Sequence, residues 1–221
     1  MPAADPPLCG WPSPDALTAG LPPPIMASMN VLAVQASPRK EGNTVTLARA
    51  LLEGLKSGGV KQVSEVFLDD LEIHPCTNCD ACRREGGPFC VFDDGMSGLY
   101  RRFIEADLVV LASPVYWWSV SAQLKLFIDR LYGLNFEQHP EYYQGKKLVL
   151  VFTHQEEHPC SGAELARKMF EQIADYTEMT IAGDLRYSSD EKHVRDSPEK
   201  LAQARKLGEK LAGDDQPLVR P

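Results

Sequence analysis

Four cysteines fall within fifteen residues: Cys76, Cys79, Cys82 and Cys90, in CTNCDACRREGGPFC. Thiolates at C-x2-C-x2-C spacing can converge on one inorganic centre, and an acidic chain rarely gathers so many soft ligands for packing alone. Gly86, Gly87 and Pro88 make the return to Cys90 flexible enough to reach the same centre. An iron-sulfur cluster, a zinc ion and free or redox-active thiols all satisfy this pattern. Zinc is the weaker fit, because tetrahedral sites usually draw on two separated knuckles.

Two further segments carry chemistry. SPRKEGNT, Ser37 to Thr44, offers the hydroxyls of Ser37 and Thr44, the Asn43 amide, a permissive Gly42, the Arg39 guanidinium and free backbone N–H groups. At the start of a helix, where the dipole amounts to about half a positive charge, those groups form a phosphate cradle. It is not a Walker loop, since the Gly-Lys-Ser/Thr ending is missing, and no G-x-G-x-x-G dinucleotide fingerprint is present. The bland alternative is an ordinary polar turn with a solvated Arg39. SPVYWWSV, Ser113 to Val120, sets three aromatics side by side after the apolar run LVVLA. Tyr116 and Trp117 can flank a flat heteroaromatic ring while backbone amides from Pro114 to Ser119 meet its polar edge. Coverage of a subunit interface is the competing use, for Trp118 above all.

Other patterns are discounted. His154 to His158 spells H-x-x-E-H, an inverted zinc-protease motif that needs a helix, whereas here it falls between a strand and Pro159. Asp93 and Asp94 are adjacent and do not face each other, and helix capping explains Asp94. Lys146-Lys147 reads as a solvated strand start.

The elements that must position these residues alternate. Asn30 to Ala36 reads as a buried strand. Thr44 to Lys56 follows as a helix with Leu47, Leu51, Leu52 and Leu55 on one face. Val63 to Leu68 is a second strand, and Gly95 to Glu105 a helix that Asp94 caps. Leu108 to Ala112 is a third strand, and Ser121 to Tyr132 a helix carrying Leu124, Phe127, Ile128 and Leu131 at i, i+3, i+4, i+7. Leu148 to Phe152 continues as a strand, Ala163 to Tyr176 as a helix, Thr180 to Ala182 as the heart of a fifth strand and Pro198 to Leu211 as a closing helix. Five βα units in a row predict a doubly wound parallel sheet, in which ligands sit beyond the carboxyl ends of the strands. A phosphate loop after the first strand and an aromatic loop after the third describe a flavin mononucleotide held across the switch point.

Composition bounds the rest. The 221 residues, 43% of them hydrophobic, can bury one good core, and no apolar run approaches the length of a membrane span. A net charge of −8 argues against a nucleic-acid surface. The isolated Cys9 and Cys160 do not complete a secreted disulfide framework, so a reducing cytoplasm is the expected location. Residues 1–27 are expected to form a disordered extension, since eight of the seventeen prolines lie before residue 25 with only Asp5 and Asp15 as charges. Met26 and Met29 stand just before the first strand, so an upstream mis-assigned start is a plain explanation of that extension. The domain is expected over 28–213 and a tail over 214–221.

SPRKEGNT, the cysteine run ending in CVFDDGM, and SPVYWWSVSAQLKLFIDR together resemble the NADPH-dependent FMN reductase family of flavodoxin-like proteins, specifically its iron-sulfur flavoprotein branch, over residues 29 to about 185. The resemblance implies a flavodoxin-like five-stranded parallel sheet with helices on both faces. It places FMN phosphate on Ser37, Arg39, Gly42, Asn43 and Thr44, and the isoalloxazine near Pro114, Val115, Tyr116, Trp117 and Ser119. A third contact loop is implied at Thr153 and His154, where THQEEHPC departs from the usual glycine-bearing version. In that branch the spacing of Cys76, Cys79, Cys82 and Cys90 carries a [4Fe-4S] cluster, although similar-looking relatives keep such cysteines without a demonstrated cluster. NAD(P)H as donor, a small-molecule or ferredoxin-type partner and a homodimer or homotetramer are implied too, with no catalytic side chain because flavin needs none. A cluster-free NAD(P)H-dependent flavin or quinone reductase is the alternative, as is a non-catalytic flavodoxin-like carrier. The cysteine insertion argues against the carrier.

Overall fold

The computed structural model describes residues 29–84, 89–156, 161–190 and 192–214. The elements run β1 (Asn30–Gln35), α1 (Asn43–Ser57), β2 (Gln62–Phe67), α2 (Gly95–Glu105), β3 (Leu108–Tyr116), β4 (Ser119–Val120), α3 (Ala122–Leu131), β5 (Lys147–His154), α4 (Ala163–Thr177), β6 (Thr180–Ser188) and α5 (Pro198–Ala212). The sheet order is β2-β1-β3-β5-β6, all parallel, with β4 folded back antiparallel on the end of β3. The expected doubly wound flavodoxin-like architecture is what forms.

Alternation along the central strands builds two cores. Leu32 and Val34, Val109 and Leu111, and Leu148, Leu150 and Phe152 point to one face, where Met96, Leu99 and Phe103 of α2, Leu124 and Phe127 of α3, and Phe170 of α4 cover them. Val31 and Ala33, Leu108 and Val110, and Val149 and Val151 point to the other, against Leu47, Leu51 and Leu55 of α1 and Ala204 and Leu211 of α5. Helices α1 and α5 cross at backbone contact. A Cβ at Gly54 would stand 2.0 Å from the Arg205 carbonyl oxygen, and one at Gly208 would stand 2.2 Å from that of Leu51.

Two expectations are corrected and one strand is extended. β3 does not stop at Ala112 but continues to Tyr116, because Pro114 pairs with Thr153 of β5 and Val115–Tyr116 pair with β4. β6 contains the expected heart at Thr180–Ala182 and runs on to Ser188. Its polar Asp184 and Arg186 are tolerated on an edge strand, where Arg186 joins Asp184 and Glu164. Lys146 is not solvated: it is 6% exposed, and its ammonium donates to the carbonyls of Ile104 and Ala106 at 2.7 and 2.6 Å, closing the end of α2. Residues 1–27, Cys9, Cys160, Gly86–Pro88, His158 and the tail beyond Asp214 lie outside the described residues. No helix among the described residues is long and apolar enough to cross a membrane.

Candidate functional site

The sheet order puts the carboxyl ends of β1, β3 and β5 side by side, so the loops that leave them share one rim. Ser37 and Thr44 are buried there at 4% and 2% exposure. The Thr44 hydroxyl meets that of Thr153, at the end of β5, at 2.6 Å. Ser37 Oγ accepts from the Arg39 N–H at 3.2 Å, curling the loop over the start of α1. Helix α1 begins at Gly42 with no side-chain cap and no acidic residue in its first turn, so its N-terminal donors face outward uncontested. A Cβ at Gly42 would press to 3.1 Å from both Cβ and O of Arg39. These features suit a phosphate group. Two residues are placed differently from the rest. Arg39 is exposed, and Asn43 Oδ1 accepts from the Val194 N–H at 2.8 Å, leaving only its amide nitrogen for a ligand. Arg195, which the sequence reading missed, donates to the Glu41 carbonyl at 3.2 Å and adds a second guanidinium at this loop. No local pattern marked it, since 154 residues separate the two.

The aromatic loop is a tight hairpin. Val115 pairs with Val120 and Tyr116 with Ser119, so Trp117 and Trp118 occupy a two-residue turn, both left-handed at φ 49° and 61°. Such turns ordinarily hold Asn-Gly, and bulky residues there are strained. Trp117 is 90% exposed, Tyr116 and Trp118 about half, and the two indoles meet edge to face at 5.6 Å. Ser121, also missed, anchors the hairpin. Its hydroxyl donates to the Ala36 carbonyl at 2.8 Å and its N–H donates to Ser113 Oγ at 3.0 Å, tying the β1 and β3 ends together before capping α3. His154, 9% exposed, has its Nδ1 2.6 Å from the Glu156 carbonyl oxygen, which fixes the ring at the third loop.

At the other end of α3, about 14 Å along a ten-residue helix, lies the cysteine loop. Asn78 and Asp80 bracket Cys79 in left-handed conformation, at φ 52° and 53°, which Asn and Asp tolerate. The chain then coils through Ala81–Arg83. Cys76, Cys79, Cys82 and Cys90 line one cavity together with Tyr100 and Arg130. None of the four is in a disulfide, and burial pushes the Cys82 thiol up, with Cys90 and Cys76 adding to the effect. Among the described residues no three ligand groups are gathered closely enough to share one metal ion. The four side chains are of the kind that ligates a thiolate-bound centre, and they line one cavity.

Residues 29–194 match the NADPH-dependent FMN reductase family, and the chain belongs to it. An iron-sulfur flavoprotein of Methanocaldococcus jannaschii is 39% identical over 102 residues, 46% of this chain and 51% of its own length. One of Archaeoglobus fulgidus is 41% identical over 103 residues, 47% and 46% of the two chains. The chain thus spans about half the length of the curated relatives it matches. Among solved structures, an NAD(P)H:quinone oxidoreductase of Methanothermobacter marburgensis superposes with a TM-score of 0.61 at 21% identity, covering 84% of this chain and 98% of its own, a likeness of fold.

Proposed function

We propose, from this family membership and the open α1 N-terminus, that the chain is an FMN-dependent oxidoreductase drawing electrons from NAD(P)H. The observation that carries it is the cradle of Ser37, Gly42 and Thr44 beneath uncapped helix donors, which suits one phosphate and not a dinucleotide. FMN, when bound, would supply the redox chemistry, hydride or single-electron. The protein's part is to hold and shield. Ser37, Thr44, the Asn43 amide and Arg39 bind the phosphate, and the backbone of Pro114, Val115 and Ser119 meets the ring edge. Tyr116 and Trp117 flank the ring and keep water from it, and Thr153 and His154 close the third side.

In this reading Cys76, Cys79, Cys82 and Cys90 hold a [4Fe-4S] cluster. Zinc is the weaker fit because tetrahedral sites usually draw on two separated knuckles, whereas these four cysteines fall in one run. The acceptor is a small molecule or a ferredoxin-type protein, and the assembly a homodimer or homotetramer.

Heat release of the flavin followed by chromatography tests the core: FMN is expected, and FAD, or no uptake after reconstitution with FMN, refutes it. Anaerobic reconstitution with iron and sulfide should give about four irons per chain. Iron near zero with full FMN and continued reduction by NAD(P)H leaves a cluster-free reductase, and stoichiometric zinc leaves a structural clip.

A further inference from the structure

Arg130, at the end of α3, is 2% exposed, a large cationic side chain in an apolar core. Its Nη1 donates to Asp94 Oδ2 at 2.6 Å and to the His74 carbonyl at 2.7 Å, while Nη2 reaches Asp94 Oδ1 at 3.2 Å. His74 and Asp94 are the two stems of the cysteine loop. They are further stitched by the His74 N–H to Asp94 Oδ2 at 3.0 Å, by the Gly95 N–H to the Glu72 carbonyl at 2.9 Å, and by His74 stacked on Phe92 at 5.0 Å. One guanidinium from a helix 36 residues further along the chain therefore closes the ring that carries all four cysteines. The same Arg130 lines their cavity together with Tyr100, whose hydroxyl interacts with the guanidinium, and the arginine's Nε is buried without a hydrogen bond of ordinary geometry, although a buried guanidinium ordinarily satisfies every donor.

We propose that Arg130 is the positioning residue of the cysteine loop: it locks the two stems together before any centre is bound, and its unpaired Nε–H is the donor kept for the thiolate-ligated centre in the cavity. The second half rests on the cluster reading above; the first does not. Loop closure costs conformational entropy, which the contacts of Arg130 with Asp94 and the His74 carbonyl offset at the stems. A [4Fe-4S] centre on four thiolates is anionic, and a hydrogen bond from a buried cation to its sulfurs favours the reduced state. Arg83 is the contrast. Its guanidinium stacks on Tyr132 and pairs with Glu137 at 2.6 Å, but it lies toward solvent and holds only the middle of the loop.

The test uses the full chain with FMN bound, as wild type, Arg130→Gln, Arg130→Lys and Arg83→Gln. In the metal-free state, amide exchange across residues 74–94 should quicken at least tenfold in Arg130→Gln and less in Arg130→Lys. Peptides over 29–57 and 147–154, and FMN content, should not change, and Arg83→Gln should leave the stems protected. After anaerobic reconstitution, the midpoint potential of the centre should fall in both Arg130 variants, because lysine restores charge but not the Nε donor. Unchanged exchange at the stems overturns the clamp. An unchanged potential in a variant that retains four irons overturns the donor role. Wild type that takes up no iron refutes the cluster reading and the donor role together, while exchange still decides the clamp. Should Arg130→Gln fail to accumulate, Arg130→Lys carries both measurements.

Discussion

Replacing Asp94 with Asn tests the energetics of the buried pair directly. Asp94 is the cap of α2, accepting from the Met96 N–H at 2.9 Å with Ser97 completing a capping box, and it is also the counter-ion of Arg130. Burial pushes its carboxyl up, but hydrogen bonds from Arg130, His74 and Met96 outweigh that and hold it at about 2, against an ordinary 3.8. At about 1.4 kcal/mol per pH unit, ionised Asp94 contributes about 2.5 kcal/mol to folding. Its side chain is only 3% exposed, so little of this is lost to solvent screening. Because the folded value is depressed, that stability is fully present above pH 5 and is lost as pH falls through 3.8 toward 2, with about 1 kcal/mol gone at pH 3 and about 2 at pH 2. Asp94→Asn cannot titrate, and it leaves Arg130 buried without a counter-charge, a defect of about 3–5 kcal/mol near neutral pH. Urea unfolding of both chains, with chelator and a thiol reductant present, should show this gap at pH 7 and a narrowing of about 1 kcal/mol by pH 3. A gap that stays constant with pH refutes the assignment of Asp94 as the ionised partner. A gap under 1 kcal/mol refutes the buried pair.

Thr153→Val removes the buried partner of the Thr44 hydroxyl; it should cost about 1–3 kcal/mol in stability and weaken FMN binding about tenfold by fluorescence titration, and unaltered affinity would separate Thr153 from the cradle. Trp117→Asn with Trp118→Gly matches the left-handed turn, so the flavin-free chain should gain about 2 kcal/mol in urea unfolding; a loss instead would mean the indoles stabilise the hairpin more than their backbone strains it. Gly54→Ala and Gly208→Ala each drive a Cβ into backbone, where neither helix can yield cheaply, and should cost at least about 3 kcal/mol and lower Tm by roughly 6–12 °C; near-neutral melting would refute the close crossing of α1 and α5.

Much of this was legible in the chain because it is local. The apolar runs of β1, β3 and β5 announce strands buried on both faces, and Leu47, Leu51 and Leu55 announce a helix face. The cysteine spacing and the uncapped SPRKEGNT loop are readable as chemistry within a few residues. What escaped was set by long-range partners. The length of β6 depends on an edge position where Asp184 and Arg186 find ions to pair with, and the burial of Lys146 depends on the carbonyl end of a helix some 40 residues earlier. The burial of Arg130 was not legible at all, because periodicity counts faces and does not know what docks on them.

The sequence by itself therefore determined the architecture, the order of the loops on the rim and the kinds of ligand each loop suits, because period, turn chemistry and residue type act over a handful of positions. Only the tertiary structure decided which of those residues meet. Thr44 reaches Thr153, Ser121 ties β1 to β3, two tryptophans are forced into a left-handed turn, and Arg130 closes the cysteine ring on Asp94. Each of these hangs on how helices and strands pack, and packing is a property of the whole core, not of any one segment of it.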